Sequence, residues 1–436
     1  MAMSQDQRTE AECLLKQGAL YGKRVGLRPG DQPLIFAGFK QGVFSLYFGD
    51  APIFHFDLEG RWQHAFLRGR HYLKRLDATI HEIDRVREGP NLILKRRFLD
   101  QVEAERLDEE VRGAATALLK SLDESAPRRE YPSNGTAEAI DDDELRDVLN
   151  QIGAWSASAW DDVRVRYRDT YGPLPFTPPE CQKAVVVQAT LGTPKGRSFG
   201  GGPAHEHSVR GLPEFERHVR DVAELAGRRL LQTKGVFLAG ADVLRRPGAD
   251  VLGCLEIIGR VLPLVGDGEE ADRLRDIHAF LDDFQAPVVD GETLKAASRL
   301  RLSRIALGVE SGDPEIRREY GKTWTDQDLR DFATNAKDAE IGLSALILVG
   351  AGGRERRQRH VADTAELISS LPLTRGDFVF LLDETEFTDS NSSPFAGTPL
   401  DQAERAEQRE LLRQALSPLR ERGVKTLPYS LAKQWA

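Results

Sequence analysis

The chain has 436 residues, 40% hydrophobic and 30% charged, with 39 Gly and 22 Pro, a globular composition that excludes a mainly disordered or fibrous protein. Lys and Arg number 60 against 69 Asp and Glu, a formal net charge of −9, so no global basic field exists to hold a nucleic-acid backbone. Three widely spaced cysteines (Cys13, Cys181, Cys254) exclude a disulfide framework and a zinc pattern; a polar N-terminus and no membrane-length apolar run lead us to expect a cytoplasmic protein.

Leu34–Phe39, Val43–Phe48, Pro52–Asp57, Trp62–Leu67 and Tyr72–Leu76 are short aromatic or branched runs. Turn pairs such as Gly49-Asp50, Glu59-Gly60 and Arg68-Gly69 separate them, which predicts an antiparallel meander. Phe98, Val102, Leu107, Val111, Ala115 and Leu119 then recur at helical intervals. Residues 1–122 therefore read as a small α+β N-terminal domain, and the charged, Pro- and Gly-punctuated residues 123–136 as a linker. Residues 137–177 read as a helical connector, with Leu145, Val148, Leu149, Ile152 and Trp155 on its apolar face. Trp62, His64, His71, Tyr72 and Lys74, extended by Arg85, Arg87, Lys95, Arg96 and Arg97, suggest a mixed aromatic and basic surface. Such a surface can bind single-stranded nucleic acid, but core aromatics beside a solvated charged face are the commoner arrangement, and a protein partner is the stronger expectation.

From Ala184 five apolar runs alternate with long helical patterns: Ala184–Ala189, Gly235–Leu238, Ser303–Leu307, Leu343–Val349 and Asp377–Leu382. Buried strands alternating with helices predict parallel βα units, in number enough for a partial (β/α) barrel over residues 178–436 including a C-terminal tail. Barrels of this kind place their sites after the strands. There the chain reads T-L-G-T-P-K-G-R-S-F-G-G-G-P-A-H-E-H from Thr190, A-G-A-D-V-L from Ala239, G-V-E-S-G-D from Gly308 and G-A-G-G from Gly350. Glycine at such places lets backbone approach a ligand closely or take a positive φ.

These motifs, in this order, resemble the radical S-adenosylmethionine superfamily over roughly Pro178 to the C-terminus. Ala279–Phe284 is similar to an aromatic-rich run of the family's third barrel unit, and the segment ending R-G-V-K-T-L-P-Y to its tail. The resemblance implies a radical-SAM-type partial barrel. It also implies contacts to S-adenosylmethionine at Gly240, Asp242, Glu310, Ser311 and Gly350, with Leu348–Gly350 near the adenine. The family holds a [4Fe–4S] cluster on three cysteines of the first βα loop, because soft thiolates suit iron–sulfur centres. Here Thr193, Ser198 and Gly200 stand where those cysteines would lie, so the cluster is not expected. Without its iron chelate, binding of S-adenosylmethionine is expected to be weak. Asp242 and Glu310 have a plainer reading as helix caps, favoured there by the dipole.

His205 and His207, two residues apart, share a face only in an extended segment. With Asp242 or Glu310 they form an alternative metal site, although most such loop pairs are solvated. The leading expectation is a non-radical pseudoenzyme that binds a protein partner and keeps a weak nucleoside pocket. The alternatives are an enzyme using the barrel mouth with another metal or none on a small substrate, and an altered form of a cluster-bearing enzyme.

Overall fold

The structure is a computed structural model that describes residues 23–28, 34–40, 42–88, 91–124, 128–130, 139–174, 176–192, 206–240, 242–262, 276–386 and 397–429. Thr193, Ser198, Gly200 and His205 lie outside the described residues. Two compact units form. The first runs to Thr170 and takes in Ala223–Thr233; the second holds Tyr171–Val222 and most of the chain from Lys234 onward.

Antiparallel strands make the first unit's sheet: β1 (Arg24–Arg28), β2 (Ile35–Lys40), β3 (Val43–Phe48), β4 (Ile53–Asp57), β5 (Trp62–Leu67), β6 (Arg70–Lys74), β7 (Ile80–Glu88), β8 (Asn91–Phe98) and β9 (Arg128–Glu130). The order β8-β7-β6-β5-β4-β3-β2-β1-β9 is a meander whose last strand returns to pair with β1. Thus the stretch read as a linker contains a strand of the sheet, and the unit keeps the helices Asp142–Gly153 and Ala157–Thr170 read as a connector. The first of these opens on a capping box between Asp141 and Glu144, which satisfies two otherwise orphaned backbone donors.

Strands β7 and β8 escaped the sequence reading because charges dilute their apolar pattern. The sheet pairs some of those charges across strands: Arg97 Nε lies 3.1 Å from Glu82 Oε1 and Arg70 NH1 3.2 Å from Glu82 Oε2. Helix Gln101–Glu124 buries Ala104, Leu107, Val111, Ala115, Leu118 and Leu122, one stripe at three- and four-residue spacing. Trp62, Tyr72 and Lys74 are buried, which corrects their reading as surface residues. Asp108 of this helix accepts from Trp62 Nε1 at 2.6 Å and from Lys74 Nζ at 2.5 Å, while Lys74 Nζ sits 3.5 Å from the ring centre of Trp160.

Seven parallel strands build the second unit: β10 (Val185–Gln188), β13 (Val236–Ala239), β14 (Ile277–Leu281), β15 (Leu302–Glu310), β16 (Gly342–Val349), β17 (Phe378–Asp383) and β18 (Lys425–Tyr429). A short antiparallel ribbon, β11 (Thr190–Leu191) with β12 (Ser208–Val209), follows β10. The strand order is sequential, and helices separate successive members of the parallel sheet. That is the singly wound order of a partial (β/α) barrel, as expected from the alternation of patterns. Two of its strands were not read from the sequence. His278 interrupts the apolar run of β14, and β18 is an edge strand that carries Pro428 and leaves most of its side chains at least partly exposed.

Candidate functional site

Every strand of the barrel ends on the same edge, and polar side chains gather there around β15. The strand does not stop before Glu310 but carries it as its last residue. A register shift against β16 falls between Gly308 and Glu310, so one extra residue bulges the strand. Bulges of this kind re-aim a side chain. Glu310 consequently holds a φ of 59°, the left-handed region that a non-glycine residue enters at a cost. Its side chain is 2% exposed.

Lys322 meets this carboxylate from the loop after helix Pro314–Glu319. Its Nζ lies 3.1 Å from Glu310 Oε1, 2.8 Å from Asp282 Oδ2 and 3.0 Å from the Asp282 carbonyl oxygen. Three acceptors for three ammonium protons leave Lys322 saturated. Burial disfavours its charge, but Asp282 and Glu310 outweigh burial and raise its pKa. Glu310 gains less. Burial pushes it up to about 7 against the pull of Lys322, and Asp282 adds to the rise. Its second oxygen, Oε2, is buried and has no hydrogen-bond partner among the described residues. Close by, the Tyr320 hydroxyl donates to Glu384 Oε1, and burial together with Glu384 and Glu310 raises the phenol's pKa.

A second cluster forms where β10 and β13 end. Thr190 Oγ1 donates to Asp242 Oδ1 at 2.7 Å, and His207 Nε2 lies 2.7 Å from Asp242 Oδ2. Gly240 makes this possible. A Cβ there would stand 2.1 Å from Thr190 Oγ1, and its φ is 128°. The reading of Asp242 and Glu310 as helix caps is corrected. Asp242 makes no side-chain cap bond, and the helix after β15 is capped by Asp313, whose side chain accepts from Glu315 N.

The other expected residues are placed as follows. Ser311 is buried, its Oγ 2.7 Å from His360 Nδ1 and accepting from Asp313 N at 3.0 Å, so its hydroxyl fastens the loop to helix Gly353–Ser370. Gly350 has a φ of 105° and donates its N–H to Gln408 Oε1 at 2.6 Å. Leu348 and Val349 are buried within β16. His207 and Asp242 come together, whereas Glu310 is engaged by Lys322. No group of three or more potential ligands is arranged to hold a metal ion among the described residues.

Cys181 lies before β10, buried, its Sγ 3.4 Å from His278 Nδ1 at the start of β14, and burial raises its pKa. Cys254 is buried in helix Gly248–Val261 with Sγ 3.7 Å from Arg246 NH1, and burial pushes the thiol up to about 11. Sequence reasoning missed Thr190, Asp282, Tyr320, Lys322, His360 and Glu384. Two of them lie in segments the sequence marks, Thr190 at the start of the segment after the first strand and Asp282 within Ala279–Phe284.

No known family pattern matches the chain, and no curated protein matches it in sequence. Among solved structures it is similar to the radical S-adenosylmethionine methyltransferase TsrM from Kitasatospora setae, with cobalamin and a [4Fe-4S] cluster bound, at 13% identity and a TM-score of 0.33. That match covers 45% of this chain and 36% of TsrM. Coproporphyrinogen III oxidase (HemN) from Escherichia coli, a radical SAM enzyme, is similar at 12% identity and a TM-score of 0.33, over 48% of this chain and 44% of HemN. Streptococcus suis SuiB bound to S-adenosylmethionine is similar at 11% identity and a TM-score of 0.37, over 83% and 71% of the two chains. The chain thus spans less than half the length of TsrM and HemN. No helix among the described residues is long and apolar enough to cross a membrane.

Proposed function

We infer that the C-terminal edge of the parallel sheet binds a nucleoside-type ligand, S-adenosylmethionine among them, without iron–sulfur chemistry. The observation that carries this reading is Glu310. It is a strained, buried carboxylate at the end of a strand, with Oε2 left unpartnered. An unmet buried acceptor costs about 1–3 kcal/mol, which a ligand hydroxyl or amine donor would return. The sulfonium and amine of S-adenosylmethionine are cationic, and Asp242, Asp282, Glu310 and Glu384 make this edge rich in carboxylates.

The thiols present do not fit a three-cysteine cluster. The whole chain has only Cys13, Cys181 and Cys254, and the last two are buried among different neighbours with raised pKa values. No step through a cluster is therefore derived, and the activity expected is binding, in a non-radical protein that serves a protein partner.

Titration calorimetry with S-adenosylmethionine and with adenosine tests the reading. Both are expected to bind with micromolar to millimolar affinity, as a few hydrogen bonds of about 0.5–1.5 kcal/mol each allow. Glu310→Ala is expected to weaken both about tenfold. No heat with either ligand at millimolar concentration sinks the pocket; an unchanged affinity in Glu310→Ala sinks the contact. A stoichiometric cluster after anaerobic reconstitution overturns the cluster-free half of the reading.

A further inference from the structure

The first unit has no part in nucleoside binding, yet the two faces of its sheet differ in kind. Trp62, Tyr72 and Lys74 belong to the buried face, where Asp108 and Trp160 of the helices meet Trp62 and Lys74. The alternate positions form two rows across the opposite face, followed strand by strand through the register. One row runs from Phe36 on β2 through Tyr47, Phe66 and His71 to Arg96 on β8. The other runs from Arg24 on β1 through His55, His64 and His81 to Phe98 on β8. Phe36, Tyr47 and Phe98 are 41%, 37% and 57% exposed, and no other Phe, Tyr or Trp among the described residues is as open. Part-exposed rings join them into a patch. From ring centre to ring centre, Tyr47 lies 5.9 Å from His55, His55 5.5 Å from His64, His64 5.4 Å from His71, and His71 4.8 Å from Phe66. Their surroundings lower the pKa of His55 and His81 and bring His64 to about 4, so at neutral pH these three rings are uncharged planes.

Charge decides what such a face takes. Neither row holds a carboxylate, in a chain that carries 69 Asp and Glu. Arg24 and Arg96 stand at opposite sides of the face, and Lys40, exposed, follows Phe36 and Gly38 in the same alternation on β2. Two copies laid face to face would bring these cations together with no acid on the face to pair them. An anionic chain carrying flat apolar groups answers both features, because rings stack on rings and phosphates reach the cations. We propose that this face binds single-stranded nucleic acid, with bases stacked on Phe36, Tyr47, Phe66 and the histidine rings and phosphates held by Arg24 and Lys40. A duplex is the poorer fit, since its paired bases keep their planes inside the helix. The seven strand intervals from β1 to β8, at about 4.8 Å each, span roughly 34 Å, room for several nucleotides. This inference does not depend on nucleoside binding at the second unit.

The test uses the full chain with fluorescein-labelled oligothymidylate and oligouridylate of about 16 nucleotides, within the reach of single-strand binding sites. Fluorescence anisotropy at low salt is expected to show at least one strand binding with a Kd below about 100 μM, and weakening as salt rises. The preferred strand identifies the sugar, and binding of either supports the proposal. A labelled duplex is expected to bind about tenfold more weakly than the better strand. Replacing both Phe36→Ala and Tyr47→Ala, which are exposed, is expected to weaken binding about tenfold or more with the salt slope unchanged. Lys40→Gln is expected to lower that slope by about 0.7, the share of one phosphate contact on a single strand. Phe98→Ala, expected to cost about fivefold, serves if circular dichroism shows that the double variant does not fold. No anisotropy change with either strand overturns the proposal, as does equal binding of the duplex or an affinity untouched by the ring variants. A concentration-dependent dimer that Tyr47→Ala abolishes, without strand binding, gives the face to a second copy and also overturns it. Adenosine titration of the double variant, measured alongside, separates failure here from failure of the nucleoside reading.

Discussion

Glu310 shows how one residue can be legible in type and illegible in state. Its place after an apolar run marks it as a strand-end acid, but its protonation depends on a bulge and on Lys322. The folded carboxyl titrates at about 7, above the ordinary 4.5 of the unfolded chain. The folded state therefore holds that proton more tightly. The stability this provides is full below pH 4.5 and is lost as pH rises through about 7. Glu310→Gln cannot ionise and escapes the loss. Urea unfolding at pH 5 and pH 8 is expected to show the variant gaining on the parent by on the order of 2 kcal/mol over that range. A difference that does not change with pH removes the burial argument.

At the scale of elements, one buried charge ties three parts of the first unit together. Lys74 on β6 reaches Asp108 on helix Gln101–Glu124 and the ring of Trp160 on helix Ala157–Thr170. Burial lowers its pKa to about 8 even with Asp108 beside it. Removing the carboxylate leaves an ammonium without its counter-ion, which in buried pairs costs about 3–5 kcal/mol. Asp108→Ala is expected to lose that much. Lys74→Met is expected to cost less, because Asp108 still accepts from Trp62 Nε1. Tryptophan fluorescence during denaturation reports both, and equal losses would show that the pair is packing alone. In the second unit the analogous ties run along strand ends, from Asp282 through Lys322 to Glu310, so helices and strands there are fixed by the residues that form the candidate site.

The whole molecule carries histidines whose surroundings disfavour their charge in both units, His360 fully buried and His64 and His278 half-buried. Burial lowers His64 to about 4 in the first unit, with His55 and His71 adding to it, and lowers His278 and His360 to about 4 in the second. Each is more easily protonated when unfolded, where its pKa is 6.5, so stability falls as pH drops from 6.5 towards 4. Each contributes a loss of about 3 kcal/mol over that interval. Glu310 opposes this in the second unit by a similar amount, and two histidines outweigh one acid. Circular dichroism and calorimetry at pH 7, 5 and 4 are expected to show both units losing stability together. A flat profile between pH 7 and 4.5 would contradict the burial of these rings.

Sequence by itself determined the class of each half: a meander with turn pairs, then apolar runs separated by helical periods. It also placed Asp242, Glu310 and the glycines at strand ends, since hydrophobic period and turn chemistry are local. Tertiary structure decided the rest. Lys322 finds Asp282 and Thr190 finds Asp242 across 40 and 52 residues of chain, and no local pattern encodes such pairings. The strands of His278 and Pro428 are strands because neighbours accept their edges. Gly240 matters for a side chain it leaves room for rather than a ligand it touches, Ser311 is spent on His360, and Trp62 and Lys74 are interior. Burial and partner choice follow from how the whole chain packs, and those two quantities set the charge, strain and reach of every residue at the candidate site.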